Sequence, residues 1–328
     1  MGGKSNTRRT HVLVDRHGTV LRELPYTDVR GYSQGRAAVA VGPKGLWGYI
    51  DQLGELVIEH RFAAAYPFRD GLARVFLGGT RDGWRVHGGM TGYINPQGAV
   101  TIQPRLVVGG DFGDGLAPAV SDGQRLDGYE TLLAGTWGFI GKDGEYVLSP
   151  RYAWAHEYSE GLACVLDGAY HQYIDTAGKV AIRIEAEPNQ SISAGTFSDG
   201  VAWVFRHAPS KKFGPPPEAG TVEYIDRTGK TVVQPRAGER FALGDFSEGL
   251  ALCKDVAAKK HGYIDRTGAF AIAPHYHGGT PFRDGRAIVF DHQGRAQIID
   301  HEGMVLVPFS AGLRGGFPFE NGLTIMSR

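Results

Sequence analysis

Two short motifs alternate along this chain, and their spacing dictates what it can fold into. The first is a polar turn with glycine three residues on: Asp15/Gly18, Asp51/Gly54, Asn95/Gly98, Gly141/Gly144, Asp175/Gly178, Asp226/Gly229, Asp265/Gly268 and Asp300/Gly303. The second is an aromatic residue with glycine three residues on: Tyr32/Gly35, Phe68/Gly71, Phe112/Gly115, Tyr158/Gly161, Phe197/Gly200, Phe246/Gly249, Phe282/Gly285 and Phe319/Gly322. Eight units of about 41 residues account for all 328. Such a period marks supersecondary units that cannot bury their apolar faces alone and must pack on their neighbours. Length alone would favour about two domains. The unbroken repeat argues instead for one body over residues 11–328, preceded by a flexible tail at 1–10.

Residues 246–274 show the unit. Phe246 to Cys253 reads as a first strand, a polar loop follows, Gly262 to Asp265 is a second strand, and Ala269 to Pro274 a third. Short strands at even spacing with glycine-rich turns indicate an all-β protein. In the Asp-x-x-Gly turn, Asp accepts hydrogen bonds from backbone N–H groups ahead of it and Gly takes positive φ without a Cβ clash. Uniform repetition makes these aspartates turn residues, not catalytic groups or calcium ligands. Two residues after the second motif's glycine stands alanine in seven of eight copies, with Thr324 in the eighth. A small side chain fixed there implies close approach of a neighbouring backbone or ring.

Lys plus Arg and Asp plus Glu are both 35, so the net charge is zero, against a broad nucleic-acid surface. The two cysteines, Cys164 and Cys253, occupy equivalent strands and read as buried thiols; no disulfide framework or Cys-x-x-Cys metal pair is available. The N-terminal segment lacks an apolar h-region, Asn6 stands where a myristoylation signal needs Ser or Thr, and no apolar run reaches membrane-spanning length. A cytoplasmic setting, with no membrane or nucleic-acid partner and no cofactor, is the expectation.

The phrase Phe-x-Asp/Glu-Gly-Leu-Ala-x-Val, then Trp-Gly-Tyr-Ile-Asp, then Gly-x-x-Val-Ile-x-Pro-Arg-Tyr resembles the WG β-repeat family. Leu46 to Asp51 and Thr136 to Gly141 are the clearest copies; Trp survives only at Trp47 and Trp137. Other copies carry Thr91-Gly92, His171-Gln172, Val222-Glu223, His261-Gly262 and Ala296-Gln297 there. The resemblance implies a bacterial β-repeat scaffold suspected of binding, with no shared catalytic set.

Residues 11–21 supply only the second and third strands of a unit, and 319–326 only a first strand. Together they complete one unit. Split units close rings, and closure removes the unpaired edges that β proteins avoid. The expected fold is therefore a closed, propeller-like ring of about eight three-stranded antiparallel units, the last shared between the termini, with an open spiral as the alternative.

Function is sought where the units differ. The loops joining first to second strands vary most, and long loops on a rigid scaffold are where binding resides. Residues 78–91 hold Trp84 and His87, 121–136 hold Tyr129 and Glu130, and 207–220 hold Lys211, Lys212 and a run of prolines. Seven residues after the turn glycine lies a repeated basic position, Arg61, Arg105, Arg151, Arg236 and His275. Clustered guanidinium groups suit carboxylate or phosphate. The alternative is pairing with acidic residues such as Asp70, Asp114, Glu160, Glu248 and Asp284. The leading expectation is a non-catalytic scaffold that recognises a protein or small anionic ligand through Arg61, Trp84, Arg105, Tyr129, Arg151 and Arg236. The alternative is an enzyme working by acid–base chemistry in the ring's central cavity, with His87, Glu130, His156, Glu157, His207 and His275 as proton carriers. No metal-binding spacing occurs.

Overall fold

The computed structural model describes residues 10–83, 85–128, 132–208, 220–234, 244–255 and 257–328. Eight small antiparallel sheets form an eight-bladed β-propeller. Blade 1 covers 28–62, blade 2 64–106, blade 3 108–152, blade 4 154–184, blade 5 191–233, blade 6 251–276 and blade 7 278–307. Blade 8 pairs His11–Asp15 with Val20–Leu24 on one side and Leu323–Ser327 on the other, so the two ends of the chain close the ring.

The expected three strands per unit prove to be an undercount. In blade 1 the order is Asp28–Val29, Ala37–Ala40, Trp47–Ile50 and Leu56–Phe62, and blades 2, 3, 4, 5 and 7 likewise have four strands. The added strand is short, as few as two residues, too brief for a periodicity argument to detect. The middle strands of blade 1 are buried throughout, because neighbouring blades cover both faces. The last strand alternates buried with exposed and forms the outer edge.

The aromatic-x-x-Gly motif does not open a strand, as expected, but turns the chain from the inner strand into the next. Its last two residues both have positive φ, as at Asp114 (49°) and Gly115 (85°), which is the type I′ hairpin geometry. The same holds in all eight blades, with Gln34, Asp70, Asp114, Glu160, Asp199, Glu248, Asp284 and Asn321 ahead of glycine. Left-handed backbone is costly for a residue with a Cβ. The side chain offsets that cost by reaching across the blade boundary. Gln34 accepts from the Gly71 N–H, Asp70 from Gly115, Asp114 from Gly161 and Glu160 from Gly200. Asp199 then accepts from Gly249, Glu248 from Gly285 and Asp284 from Gly322. Glu320, one residue before the turn pair, completes the circle by accepting from the N–H groups of Gln34 and Gly35. The acidic residues expected to pair with the basic series are held in these bonds; Asp70 also meets Lys142, outside that series.

The core repeats in the same way. In six of the eight blades the motif aromatic packs on an aromatic of the preceding blade: Phe68 on Tyr49, Phe112 on Tyr93, Tyr158 on Phe139, Phe197 on Tyr173, Phe246 on Tyr224 and Phe282 on Tyr263, with centroids 4.8–5.1 Å apart. Beside them the repeated alanines are 0–1% exposed. Both cysteines are buried thiols, and burial pushes Cys164 up to about 12.

The Asp-x-x-Gly turns behave as their chemistry requires. Asp51 accepts from the N–H groups of Leu53 and Glu55, and Asp175 from those of Ala177 and Lys179. The glycine also serves packing, since a Cβ at Gly98 would lie 3.0 Å from Ile58 of the preceding blade. A ninth such turn, Asp291 to Gly294, sits at the opposite end of blade 7, joining its middle strands.

Candidate functional site

The inner strands end, one and two residues before each motif aromatic, at positions where no one residue type runs all round the ring. Two before the aromatic stand Arg30, Tyr66, Gly110, His156, Gly195, Gly244, Thr280 and Phe317. One before it stand Gly31, Pro67, Asp111, Glu157, Thr196, Asp245, Pro281 and Pro318. These segments from successive blades meet around the axis and give it two unlike sides.

On one side lies a cavity of about 230 Å³ lined by Arg69, Asp111, Phe112, Glu157, Tyr158, Ser159 and Thr196, drawn from blades 2 to 5. Arg74 approaches Asp111 at 3.4 Å. Burial nevertheless raises the Asp111 carboxyl above its ordinary value, with Arg74 opposing. Burial also raises Glu157, but His156 and the backbone N–H groups of Glu157 and Asp111 outweigh it and bring Glu157 down to about 2. His156 lies 3.8 Å from Glu157 and packs edge-on against Trp154. Just ahead of blade 6, burial raises Asp245, against a hydrogen bond from Trp203 and the charges of His156 and Arg283. Two neighbouring carboxylates are thus tuned in opposite directions.

On the other side lies a cavity of about 430 Å³ between blades 8, 1 and 2. Phe317, Arg30 and Tyr66 line it, with Trp47, Arg81 and Asp28. The Arg30 guanidinium carbon is 5.2 Å from the Trp47 ring centre and 4.7 Å from that of Tyr66. Arg81 is 4.9 Å from Trp47, and Arg74 3.6 Å from Tyr66.

Above this cavity the loops of three blades lock together. The strands Leu72–Asp82 and Arg85–Ile94 run past the body of blade 2 as a long hairpin. Blade 3 inserts a second hairpin, Gly123–Arg125 with Leu132–Gly135. Arg81, its side chain 3% exposed, donates to the carbonyls of Gly42, Gly45 and Gly83 and pairs with Asp28. The Gly83 N–H donates to Pro43. Across the hairpins His87 meets Asp127 at 2.8 Å, Arg125 donates to the Gly88 carbonyl, and Val86 bridges Gly128. Leu126 and Leu133 remain 41% and 52% exposed on this platform. Leu133 borders a groove of about 320 Å³ that Trp137 and Trp154 also line.

The WG containing repeat model matches four stretches, residues 47–80, 92–124, 137–168 and 262–290. The chain carries WG repeats. No curated protein matches its sequence. Among solved structures, the WG-repeat chain is similar to BamB from Moraxella catarrhalis, at 12% identity and TM-score 0.49 over 98% of this chain and 99% of that one. It is similar to a eukaryotic initiation factor at 16% identity and TM-score 0.48, over 82% and 72%. The Neurospora crassa Pan2 WD40 domain gives 12% identity and TM-score 0.39, over 99% and 97%.

The WG repeats disperse most residues expected to act together. Arg61 and Arg105 lie in outer strands, each donating to the turn-glycine carbonyl of the next blade, Gly98 and Gly144; Arg105 also meets Glu145 at 2.7 Å. Arg151 lies over the Tyr152 ring and 3.9 Å from Asp167. His275 is exposed in blade 6. His207 is buried in blade 5, stacked on Phe205 and bonded to Ser193 and the Ala208 carbonyl. His87 belongs to the platform. Of the five expected proton carriers that are described, His156 and Glu157 are placed beside the axis. Trp84, Tyr129, Glu130, Lys211, Lys212 and Arg236 lie outside the described residues. Among those described, no group of three or more His, Cys, Asp or Glu side chains is placed to hold a metal ion. No helix among them is long and apolar enough to cross a membrane.

Arg30, Tyr66, Phe317, Asp111 and Asp245 were missed by sequence reasoning. The signal was present: aligned on the motif aromatic, these two columns lack the uniformity of those beside them. Only the short inner strand reveals that they share an axis.

Proposed function

We propose that this WG-repeat chain is a non-catalytic binding scaffold that recognises a protein partner on the platform of blades 1 to 3. The observation that carries this reading is the locking of three loops by the Arg81, His87–Asp127 and Arg125 contacts. Loops fixed before binding lose little conformational entropy on association. The exposed Leu126 and Leu133 and the neighbouring tryptophans supply apolar anchors of the kind that dominate interfaces. The test replaces residues 78–89 and 122–135 by two-residue turns. Proteins retained from native extract by the parent chain are purified and titrated against both forms. A partner that binds both with equal affinity overturns the proposal.

Acid–base catalysis in the channel is the second reading. What favours it is the pairing of Asp111 and Glu157 in one cavity with their carboxyls shifted apart.

A further inference from the structure

The cavity between blades 8, 1 and 2 has a chemistry that specifies its occupant. Its volume of about 430 Å³ lies within the range of small-ligand pockets, roughly 300–1,000 Å³. Three aromatic rings, Trp47, Tyr66 and Phe317, come from three different blades to line it. Its described lining residues include two guanidinium groups, Arg30 and Arg81, and one carboxylate, Asp28. Arg81 is committed to the platform through Asp28 and three backbone carbonyls. Arg30 comes from the variable inner-strand column and sits against two of the rings.

We infer that this cavity binds a one- or two-ring aromatic carboxylate. The inference rests on the binding-scaffold reading and gives it a small-molecule ligand beneath the platform. The half-buried Phe317 ring selects a flat apolar body, and rings stack favourably at centroid separations of about 4.5–7 Å. A planar guanidinium offers paired N–H donors that match the two oxygens of a carboxylate. A cationic ligand is disfavoured because guanidinium groups already lie over Trp47 and Tyr66 and would repel it. The ligand's ring lies against Phe317, and its carboxylate turns to Arg30.

The probe is 2-naphthoate, titrated into the full chain by calorimetry and followed in parallel by tryptophan fluorescence. The comparison ligands are 2-naphthylmethylamine and 2-naphthylmethanol, of like shape but opposite or no charge. Saturable one-to-one binding of the carboxylate is expected, with the amine at least about tenfold weaker. Arg30→Gln should lose at least about tenfold in affinity, Arg30→Lys less, because it keeps charge without the fork. Phe317→Ala should lose about threefold. Equal affinity for the amine, unchanged binding by Arg30→Gln in a variant with the parent melting temperature, or no saturable binding at millimolar carboxylate each overturns the inference. The inter-hairpin contacts of Arg81, His87, Asp127 and Arg125 involve other side chains that Arg30→Gln leaves in place, so that variant should keep any protein partner. Failure of the small-molecule site is thereby distinguishable from failure of the platform.

Discussion

The inner strands present two regions built from neighbouring residues under opposite constraints. At the hairpin turn every blade carries Asn, Asp, Gln or Glu followed by glycine, and the side chains bond blade to blade around the ring. Three and four residues earlier the same strands carry guanidinium, phenol, imidazole, carboxylate or no side chain at all. The turn must satisfy its neighbour's backbone, so its chemistry recurs in seven blades and comes from Glu320, one residue earlier, in the eighth. The axial positions include cavity-lining side chains such as Arg30, Tyr66, Asp111 and Glu157 and buried, crowded residues such as Gly195 and Thr280, so no single chemistry serves them all. A repeat protein thereby separates the residues that assemble it from those open to acquire a ligand.

The harshest way to break the comparison is to open the rim. Removing residues 319–328 deletes the strand paired with His11–Asp15 and the Glu320 joint. Loss of a cooperative thermal transition is expected by circular dichroism; an unchanged melting temperature would mean that closure contributes nothing. Next in size, Gly113 and Gly115 separate crowding from backbone conformation. A Cβ at Gly113 would fall 1.9 Å from the Tyr158 carbonyl, whereas at Gly115, φ 85°, it meets nothing within 4 Å. Gly113→Ala should cost about 3 kcal/mol and Gly115→Ala about 1 kcal/mol in urea denaturation. Similar costs for both would show that blade contact does not limit the motif.

Asp114→Ala should cost about 1 kcal/mol through the Gly161 bond, with Asp114→Asn recovering part of it. The axial wall answers through pH. Glu157 is depressed, so its stabilisation is present above the unfolded value of about 4.5 and disappears as pH falls towards 2. Asp111 is raised, so its ionisation costs stability as pH climbs past about 3.8. At pH 7 Glu157→Gln should therefore lower stability, by about 1 kcal/mol given a side chain 39% exposed, and Asp111→Asn should raise it slightly. Melting curves from pH 3 to 7 decide this, and equal signs would refute the opposed tuning. Smallest is Arg105→Ala, about 0.5 kcal/mol, because its bonds to Gly144 and Glu145 lie on the exposed perimeter.

Period, all-β class, closure through a split unit and the role of the turn aspartates were legible in sequence, because each depends on local chemistry repeated many times. The fourth strand was not: Asp28–Val29 and Val108–Gly109 are two residues long, and no periodicity survives at that length. The basic series misled for a different reason. Its regularity signalled a scaffold contact, and Arg61 and Arg105 make one, with the next blade's turn and not with the acidic residues of the rim. The axial cavities escaped because Phe317, Arg30 and Tyr66 are distant in sequence and meet only after the ring has closed.

The joints have a consequence for how such a chain grows. Each blade offers an acceptor on one side and a glycine N–H on the other, in the same sense all the way round. A gene segment copied in frame would bring both halves of a joint with it. The copy would engage its neighbours without any new invention. What limits the number of copies is then the wedge each adds to the circle, a matter of strand twist and side-chain girth, while the joint itself is indifferent to count.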